Sequence, residues 1–184
     1  MRLYLVRHAA VAVREDRPSS QWYLSEEGRA AAEALAAEPY WAEVHALHCS
    51  SEPKATGTAQ RIAARHGLPV YIEPDLREVE RPWAGEGYRD LVRRYLAGEA
   101  VAGWEARAAA LERVRRCVAR INEGAGGRDT AIVSHGLLLT LYLSDLLDLD
   151  SAAAYGQWEQ IGFPDVALVE PESRRLVRAW SGVR

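Results

Sequence analysis

Short runs of apolar residues alternate along this chain with longer segments whose apolar positions recur at helical spacing. We predict β-strands at six of the runs: Leu3–Val6, Val44–Cys49, Leu68–Ile72, Thr130–Val133, Val166–Val169 and Leu176–Trp180. The last two flank the stretch EPESRR and are typical of a hairpin. The alternation of strands with helices favours an α/β fold with a mainly parallel central sheet.

The helical segments have recognisable ends. Ser25 fits an N-cap, because two glutamates follow it and an Ala-rich segment continues to about Ala37. Pro53 suits the first turn of a second helix, which runs to about Arg65. Three further helices are predicted at Asp90–Leu96, Trp104–Ile121 and Leu137–Leu147.

A chain of 184 residues is large enough for one domain with a substantial core. We predict a single domain over residues 1–184, with the segment 79–103 as a lid or insert. Several side chains of that segment are candidates for selecting a ligand: Trp83, Tyr88, Arg89, Arg93 and Arg94. An equal alternative is that its arginines only solvate a helix face.

Composition excludes several classes of function. A formal net charge of −3 at pH 7 argues against a general nucleic-acid binder. No apolar run approaches the roughly 20 residues that a membrane span requires. Cys49 and Cys117 do not form a disulfide framework and are interpreted as small core residues. Because the first strand begins without a preceding signal peptide, we expect a cytoplasmic protein.

Polar side chains gather where the predicted strands end. In an open parallel sheet, functional groups collect beyond the carboxyl ends of the strands. The residues that follow four of the strands are Arg7 and His8, then Ser50, Ser51 and Lys54, then Asp75, Arg77 and Glu78, and finally Ser134 and His135. Lys54 is the only lysine among the 23 basic residues, which singles it out.

This set of groups points to phosphate chemistry. Two fixed cations beside two imidazoles would hold a dianion, and the backbone amides of Gly136 and Leu137 at a helix N-terminus share that preference. A neutral imidazole can attack phosphorus while a carboxylic acid protonates the departing oxygen. A metal site is not expected, because the adjacent Arg and Lys repel a cation and no short histidine spacing joins His8 to His135.

Five segments resemble motifs of the histidine phosphatase (phosphoglycerate mutase-like) superfamily and occur in the family's order. LVRHAA is similar to its Arg-His-Gly signature, LSEEG to the start of its first helix, and SSEPKATGTA to its Ser-x-x-x-Arg-Ala-x-x-Thr-Ala segment. DLREVE resembles its Leu-x-Glu segment, and IVSHG resembles the segment of its second histidine. The resemblance spans nearly the whole chain and implies a three-layer αβα sandwich with a phosphoglycerate mutase-like fold.

The resemblance also implies a role for each matched position. His8 matches the nucleophile that becomes phosphohistidine, and Arg7 matches the phosphate-binding arginine beside it. His135 matches the histidine that stabilises the transferred phosphoryl group, and Glu78 matches the proton donor to the leaving group. Phosphate or substrate contacts are expected from Arg7, Lys54, His135, Gly136 and Arg14, the last of which stands where many relatives carry an asparagine.

Two departures from the family pattern bear on activity. Ala9 replaces the glycine of the signature, and its Cβ would crowd a turn that needs a positive φ. Lys54 replaces the usual second arginine and keeps its charge without its bidentate fork. Glu80 is a close rival of Glu78 for the role of the acid. Three other histidines match no motif and are interpreted as structural: His45, His48 and His66.

We therefore expect a cofactor-independent phosphomonoester hydrolase that forms a phosphohistidine on His8. Its substrate would be a small phosphorylated metabolite or a protein phosphohistidine. One alternative is a phosphoglycerate mutase, although typical mutases of this family are longer. An alternative of another class is a non-catalytic protein that binds phosphate ligands, which the departures at Ala9 and Lys54 would suit.

Overall fold

The computed structural model describes residues 1–182, and this part of the chain forms six β-strands and six α-helices. The strands are β1 (Leu3–Arg7), β2 (Ala46–Cys49), β3 (Val70–Ile72), β4 (Thr130–Ser134), β5 (Asp165–Glu170) and β6 (Arg175–Arg178). The helices are α1 (Glu26–Ala36), α2 (Pro53–His66), α3 (Tyr88–Leu96), α4 (Arg107–Ala125), α5 (Gly136–Leu147) and α6 (Ser151–Gln160).

The strands form one sheet in the order β3-β2-β4-β1-β5-β6. The first four in this order run parallel to one another, and β5 and β6 continue the sheet as an antiparallel hairpin. The two central strands pair in register from Leu3 with Thr130 to Arg7 with Ser134. This arrangement confirms the mainly parallel sheet and the C-terminal hairpin.

Helices cover both faces of the sheet because the side chains of its central strands alternate between two buried clusters. Leu3 and Leu5 on β1 pack in a cluster with residues from α3, α4, α5 and α6. Tyr4 and Val6 point the other way and pack with residues from α1 and α2. The three-layer αβα sandwich is therefore confirmed.

Local signals account for several helix ends. The Oγ of Ser25 accepts a hydrogen bond from the backbone N–H of Gly28 at 3.0 Å, which makes Ser25 the N-cap of α1 as predicted. Gly67 ends α2 with a φ of +64°, a left-handed conformation that glycine adopts without a steric penalty.

Other boundaries differ from the prediction because neighbouring turns take residues assigned to strands. The N–H of Val44 closes a 3₁₀ turn by bonding the carbonyl of Trp41, so β2 begins only at Ala46.

Helix α6 was not predicted, since Ala154 and Tyr155 are its only buried residues and its sequence has no apolar stripe. Its start is marked instead by the N-cap Asp150.

Candidate active site

A cavity of about 710 Å³ lies beyond the carboxyl ends of β1 and β4. Most of the predicted site residues line it: Arg7, His8, Lys54, Glu78, His135 and Gly136. The two histidines meet because β1 and β4 are adjacent parallel strands, and the backbone N–H of His8 donates to the carbonyl of Ser134 at 3.0 Å. Their ring centroids are 5.1 Å apart. Sheet topology thus brings together two histidines that are distant in sequence.

The hydrogen bonding of His8 leaves one ring nitrogen available. Its Nδ1 lies 2.8 Å from the carbonyl oxygen of Ala9, and a carbonyl can only accept, so Nδ1 carries the proton. Nε2 therefore keeps its lone pair. Burial lowers the pKa of His8 well below its usual value, and the nearby charges of His135, Lys54 and Arg7 lower it further. His8 is consequently neutral at pH 7, as a nucleophile must be.

His135 is fully buried and makes one side-chain hydrogen bond, between Nε2 and the Oγ of Ser50 at 2.8 Å. Its Nδ1 is buried and has no hydrogen-bond partner within residues 1–182. Burial lowers the pKa of His135 well below its usual value, with further lowering from Lys54 and Arg7. A buried nitrogen without a partner is costly, and it indicates a place where a bound group would supply one.

The Arg7 guanidinium is held from two sides. Its Nη1 donates to the carbonyl of Ile161 at 2.7 Å, and its Cζ lies 3.3 Å from the ring centroid of Phe163. Its Nε is buried without a partner in the described chain. Burial lowers the pKa of Arg7 to about 10, so the side chain stays charged at neutral pH. A Cβ at Gly136 would lie 3.1 Å from both Cζ and Nε, which explains why glycine suits that position.

Lys54 is only 5% exposed and forms an ion pair that the sequence did not predict. Its Nζ donates to Oε2 of Glu52 at 2.5 Å and to the carbonyl of Ser19 at 2.6 Å. Glu52 also accepts the N–H of Glu78 at 2.9 Å, and its Oε1 lies 3.5 Å from Nε2 of His135. Glu52 thus joins three predicted site residues. Its position two residues before the only lysine was the available signal.

The Glu78 carboxylate lies at the N-terminus of α5. It accepts backbone N–H groups from Val79 at 2.9 Å, Leu138 at 3.0 Å and Leu137 at 3.3 Å. The amide of Leu137, which we expected to face an anionic ligand, is therefore occupied by Glu78 in this structure. Glu80, the rival candidate, is exposed and does not line the cavity.

A buried arginine that the sequence analysis did not single out holds the segment that ends at Glu78. Arg113 on α4 donates to the carbonyls of Asp75 at 2.6 Å, Arg77 at 2.9 Å and Glu78 at 3.1 Å. Its Nε and Nη2 also bind the two carboxylate oxygens of Glu105 at 2.8 and 2.7 Å. The signal for it was a charged residue three positions after Ala110, on the buried face of a helix.

Ala9 and Arg14, two positions that differ from the family pattern, differ in where the structure places them relative to the cavity. Ala9 is not among the residues with a positive φ, and its N–H donates to Oγ1 of Thr58 at 3.1 Å, so its Cβ causes no backbone strain. The Arg14 side chain is exposed and bound to both carboxylate oxygens of Asp16, at 3.0 and 2.9 Å. It does not line the cavity, so the structure does not bring Arg14 to the predicted site.

Three candidates of the segment 79–103 line the cavity: Trp83, Tyr88 and Arg89. The other two lie outside it, since Arg93 stacks on Tyr155 and Arg94 binds Glu99. Within residues 1–182 no helix is long and apolar enough to cross a membrane, and no group of three or more His, Cys, Asp or Glu side chains is placed to hold a metal ion.

The remaining histidines lie away from the cavity. His48 pairs with Glu73 at 3.0 Å, His66 bonds the carbonyl of Ala36 at 2.7 Å, and His45 is exposed. Cys49 and Cys117 are buried free thiols in the two core clusters, on opposite faces of the sheet.

Known structures share this fold over the full length of the chain. A mycobacterial glucosyl-3-phosphoglycerate phosphatase in complex with inorganic phosphate is 25% identical, with a TM-score of 0.76 over 100% of this chain and 99% of that chain. Bacillus stearothermophilus YhfR is 22% identical, with a TM-score of 0.80 over 100% and 97%. A putative alpha-ribazole-5'-P phosphatase from Escherichia coli is 23% identical, with a TM-score of 0.75 over 100% and 97%.

No curated protein matches the sequence. The family model of the histidine phosphatase superfamily (branch 1) matches residues 3–177, which confirms the resemblance of the five motifs. The chain therefore belongs to the histidine phosphatase superfamily, branch 1.

Proposed function

We propose that this chain is a phosphomonoester hydrolase that acts on a small phosphorylated metabolite through a phosphohistidine on His8. One observation carries the proposal: a neutral, buried imidazole with a free Nε2 lone pair lies in a cavity also lined by Arg7, Lys54 and His135. A mycobacterial relative of 25% identity that binds inorganic phosphate and hydrolyses a phosphate ester supports this function.

Unpaired nitrogens of the site match the needs of a phosphate group. Nε of Arg7 and, once protonated, Nδ1 of His135 are buried donors that lack acceptors in the described chain. Nε and Nη1 of Arg81, which also lines the cavity, are likewise buried donors without an acceptor in the described chain. Phosphate oxygens accept several strong hydrogen bonds at once, so a bound phosphate would satisfy these groups together.

The reaction proceeds in two balanced steps. Nε2 of His8 attacks phosphorus as the bond to the ester oxygen breaks, and that oxygen leaves with the bonding electron pair and takes a proton from Glu78. Glu78, now a carboxylate, accepts a proton from water as the water oxygen attacks the phosphohistidine. Inorganic phosphate leaves, and neutral His8 is regenerated.

The surroundings of Glu78 support this exchange of a proton. Three backbone N–H groups stabilise the carboxylate. A phosphate dianion bound beside it repels that charge and favours the protonated acid, which is the form needed to assist the leaving group. Arg113 holds the backbone carbonyl of Glu78 and so keeps the acid in the cavity wall.

Trapping of the phosphoenzyme tests the proposal directly. Parent protein quenched during turnover of a labelled phosphomonoester should carry label that is lost in acid and retained in base. His8→Ala should lose essentially all turnover and all label, whereas His45→Ala, which removes an exposed histidine outside the cavity, should keep both. Turnover at the parental rate in His8→Ala would overturn the phosphohistidine mechanism.

A further inference from the structure

Away from the phosphate-binding groups, one wall of the cavity is apolar and aromatic, and we call Val13, Trp22, Trp83 and Phe163 the aromatic wall. The rings of Trp22 and Trp83 meet edge to face with centroids 4.9 Å apart. Val13, Trp83 and Phe163 are 52%, 46% and 43% exposed, respectively. Large apolar side chains that remain exposed together around a cavity indicate that a ligand covers them.

The aromatic wall begins directly at the groups that would bind phosphate. The ring of Phe163 lies over the guanidinium of Arg7, and its centroid is 5.6 Å from that of His8. On the other side, the backbone carbonyl of Ser19 accepts a hydrogen bond from Nζ of Lys54, and the short 3₁₀ turn that begins at Ser19 leads into Trp22. The first atoms beyond the ester oxygen of a bound substrate would therefore meet aromatic faces.

The same wall offers few hydrogen bonds to a sugar. Among the described residues that line the cavity, side-chain hydroxyls belong only to Ser19 and Tyr88. The charged side chains of the lining are engaged elsewhere: Glu78 binds backbone amides, and Glu159 pairs with Arg89 at 3.2 Å. The unpaired nitrogens of Arg81 are among the donors that would bind phosphate. Specific binding of a polyhydroxylated group needs several well-placed polar partners, whereas an aromatic group needs apolar area and ring contacts.

We propose, on the basis of the phosphatase function above, that the aromatic wall is a subsite for the leaving group. The substrate class is then phosphomonoesters whose alcohol carries an aromatic ring within about two carbons of the ester oxygen. Burial of such a ring against Trp83 and Phe163 should favour it over a polyol of similar size by about 10- to 100-fold in affinity.

Binding of two phosphonates tests the subsite without depending on turnover, since a carbon–phosphorus bond replaces the ester. The dissociation constants of 2-(1-naphthyl)ethylphosphonate and of a polyol of similar size, 2,3,4,5,6-pentahydroxyhexylphosphonate, are measured by calorimetry on the parent protein, Trp83→Ala and Tyr71→Ala. Tyr71 is the matched control because it is a 52% exposed aromatic residue that does not line this cavity.

The naphthyl compound should bind the parent and Tyr71→Ala about 10- to 100-fold more tightly than the polyol. In Trp83→Ala that ratio should fall at least about fivefold, while the polyol affinity stays constant. Val13→Ser, at an exposed position, should lower the ratio in the same direction, which guards against a folding defect in the tryptophan variant. Equal affinities in the parent, or a ratio unchanged in both wall variants, would overturn the subsite.

Failure of the subsite and failure of the phosphatase function give different results. A missing phosphoenzyme would end the hydrolase proposal while leaving the affinity ratio to be measured on the same protein. Conversely, phosphoenzyme formation with equal phosphonate affinities would leave a phosphatase whose leaving group does not contact the aromatic wall.

Discussion

The two ends of the cavity are built from different parts of the chain and differ in exposure. At the inner end, His8, Lys54 and His135 follow strand ends and are 6%, 5% and 0% exposed. At the rim, Val13, Trp83 and Phe163 come from irregular segments and are about half exposed. The sheet holds the inner groups in place, whereas the loops are free to vary. Substitutions of the groups that would bind or receive phosphate should therefore affect every substrate, and substitutions at the rim should change which substrate is preferred. Substitution of the acid Glu78 should depend on how basic the leaving group is.

After substitution of His8, the largest loss of hydrolysis rate is expected from substitution of Glu78. Glu78→Gln should slow hydrolysis of an alkyl phosphate by about 10²- to 10⁴-fold, because a basic alkoxide needs a proton as it leaves. On p-nitrophenyl phosphate the loss should be far smaller, since nitrophenolate leaves without help. Steady-state rates on both substrates measure the difference.

Glu80→Gln is the matched control for Glu78, and it should be nearly neutral on both substrates because Glu80 is exposed outside the cavity. If Glu80→Gln showed the loss that depends on the leaving group and Glu78→Gln did not, the acid would be assigned to the wrong glutamate.

A smaller but general loss is expected at Lys54. Lys54→Ala removes a charge-assisted contact worth roughly 1.5–3 kcal/mol, which corresponds to about 10- to 150-fold in kcat/KM and in inhibition by inorganic phosphate. It also removes the cationic partner of the buried Glu52 carboxylate, so the unfolding free energy should fall. Lys54→Arg should be much milder in both measurements.

Adding Glu52→Gln to Lys54→Ala should recover part of the stability and of the phosphate affinity, because it removes the unpaired buried anion beside the phosphate site. Arg65→Ala, an exposed cation at the end of α2, serves as the control and should change neither quantity. Unchanged phosphate inhibition in Lys54→Ala would show that Lys54 does not contribute to phosphate binding.

Gly136→Ala should act through Arg7 and lower kcat/KM by about tenfold for alkyl and aromatic substrates alike. The added Cβ would lie 3.1 Å from Arg7 Cζ, so the guanidinium must shift by a few tenths of an ångström from its place beside the phosphate. Gly156→Ala is the control, since a Cβ there meets nothing within 4 Å and the residue lies within α6. A change in substrate preference instead of a uniform loss would contradict the division between the two ends.

The smallest expected effect is the dependence of the unfolding free energy on pH. The pKa values of His8 and His135 are lowered in the folded protein, so below about pH 6.5 the unfolded chain binds protons that the folded chain does not. The unfolding free energy should therefore fall as pH falls from 7 to 5, because protonation stabilises the unfolded chain over this range.

Urea denaturation of the parent, His8→Gln and His45→Gln at both pH values measures this contribution. His8→Gln should show a smaller loss between pH 7 and pH 5 than the parent, and His45→Gln, at an exposed position, should match the parent. Equal losses in all three proteins would show that His8 is protonated in the folded state at pH 5.

Local patterns were sufficient to predict the mainly parallel α/β sheet and the placement of most of the predicted site residues in one cavity. Alternating apolar runs and helical periods predicted the parallel sheet, and the residues at the strand ends predicted that His8 and His135 would meet. These inferences succeed because strand direction and side-chain alternation are short-range properties. The roles assigned to the site residues remain predictions for the experiments above.

Only the tertiary structure decided which partners surround those residues. Glu52 binds Lys54 and approaches His135, 83 residues further along the chain (135 − 52), while Arg113 bonds carbonyls of the segment before α3. Arg14 pairs with Asp16 instead of reaching the cavity. Such contacts depend on how separate elements pack and on which carboxylate or carbonyl lies within about 3 Å, a distance that spacing along the sequence does not specify.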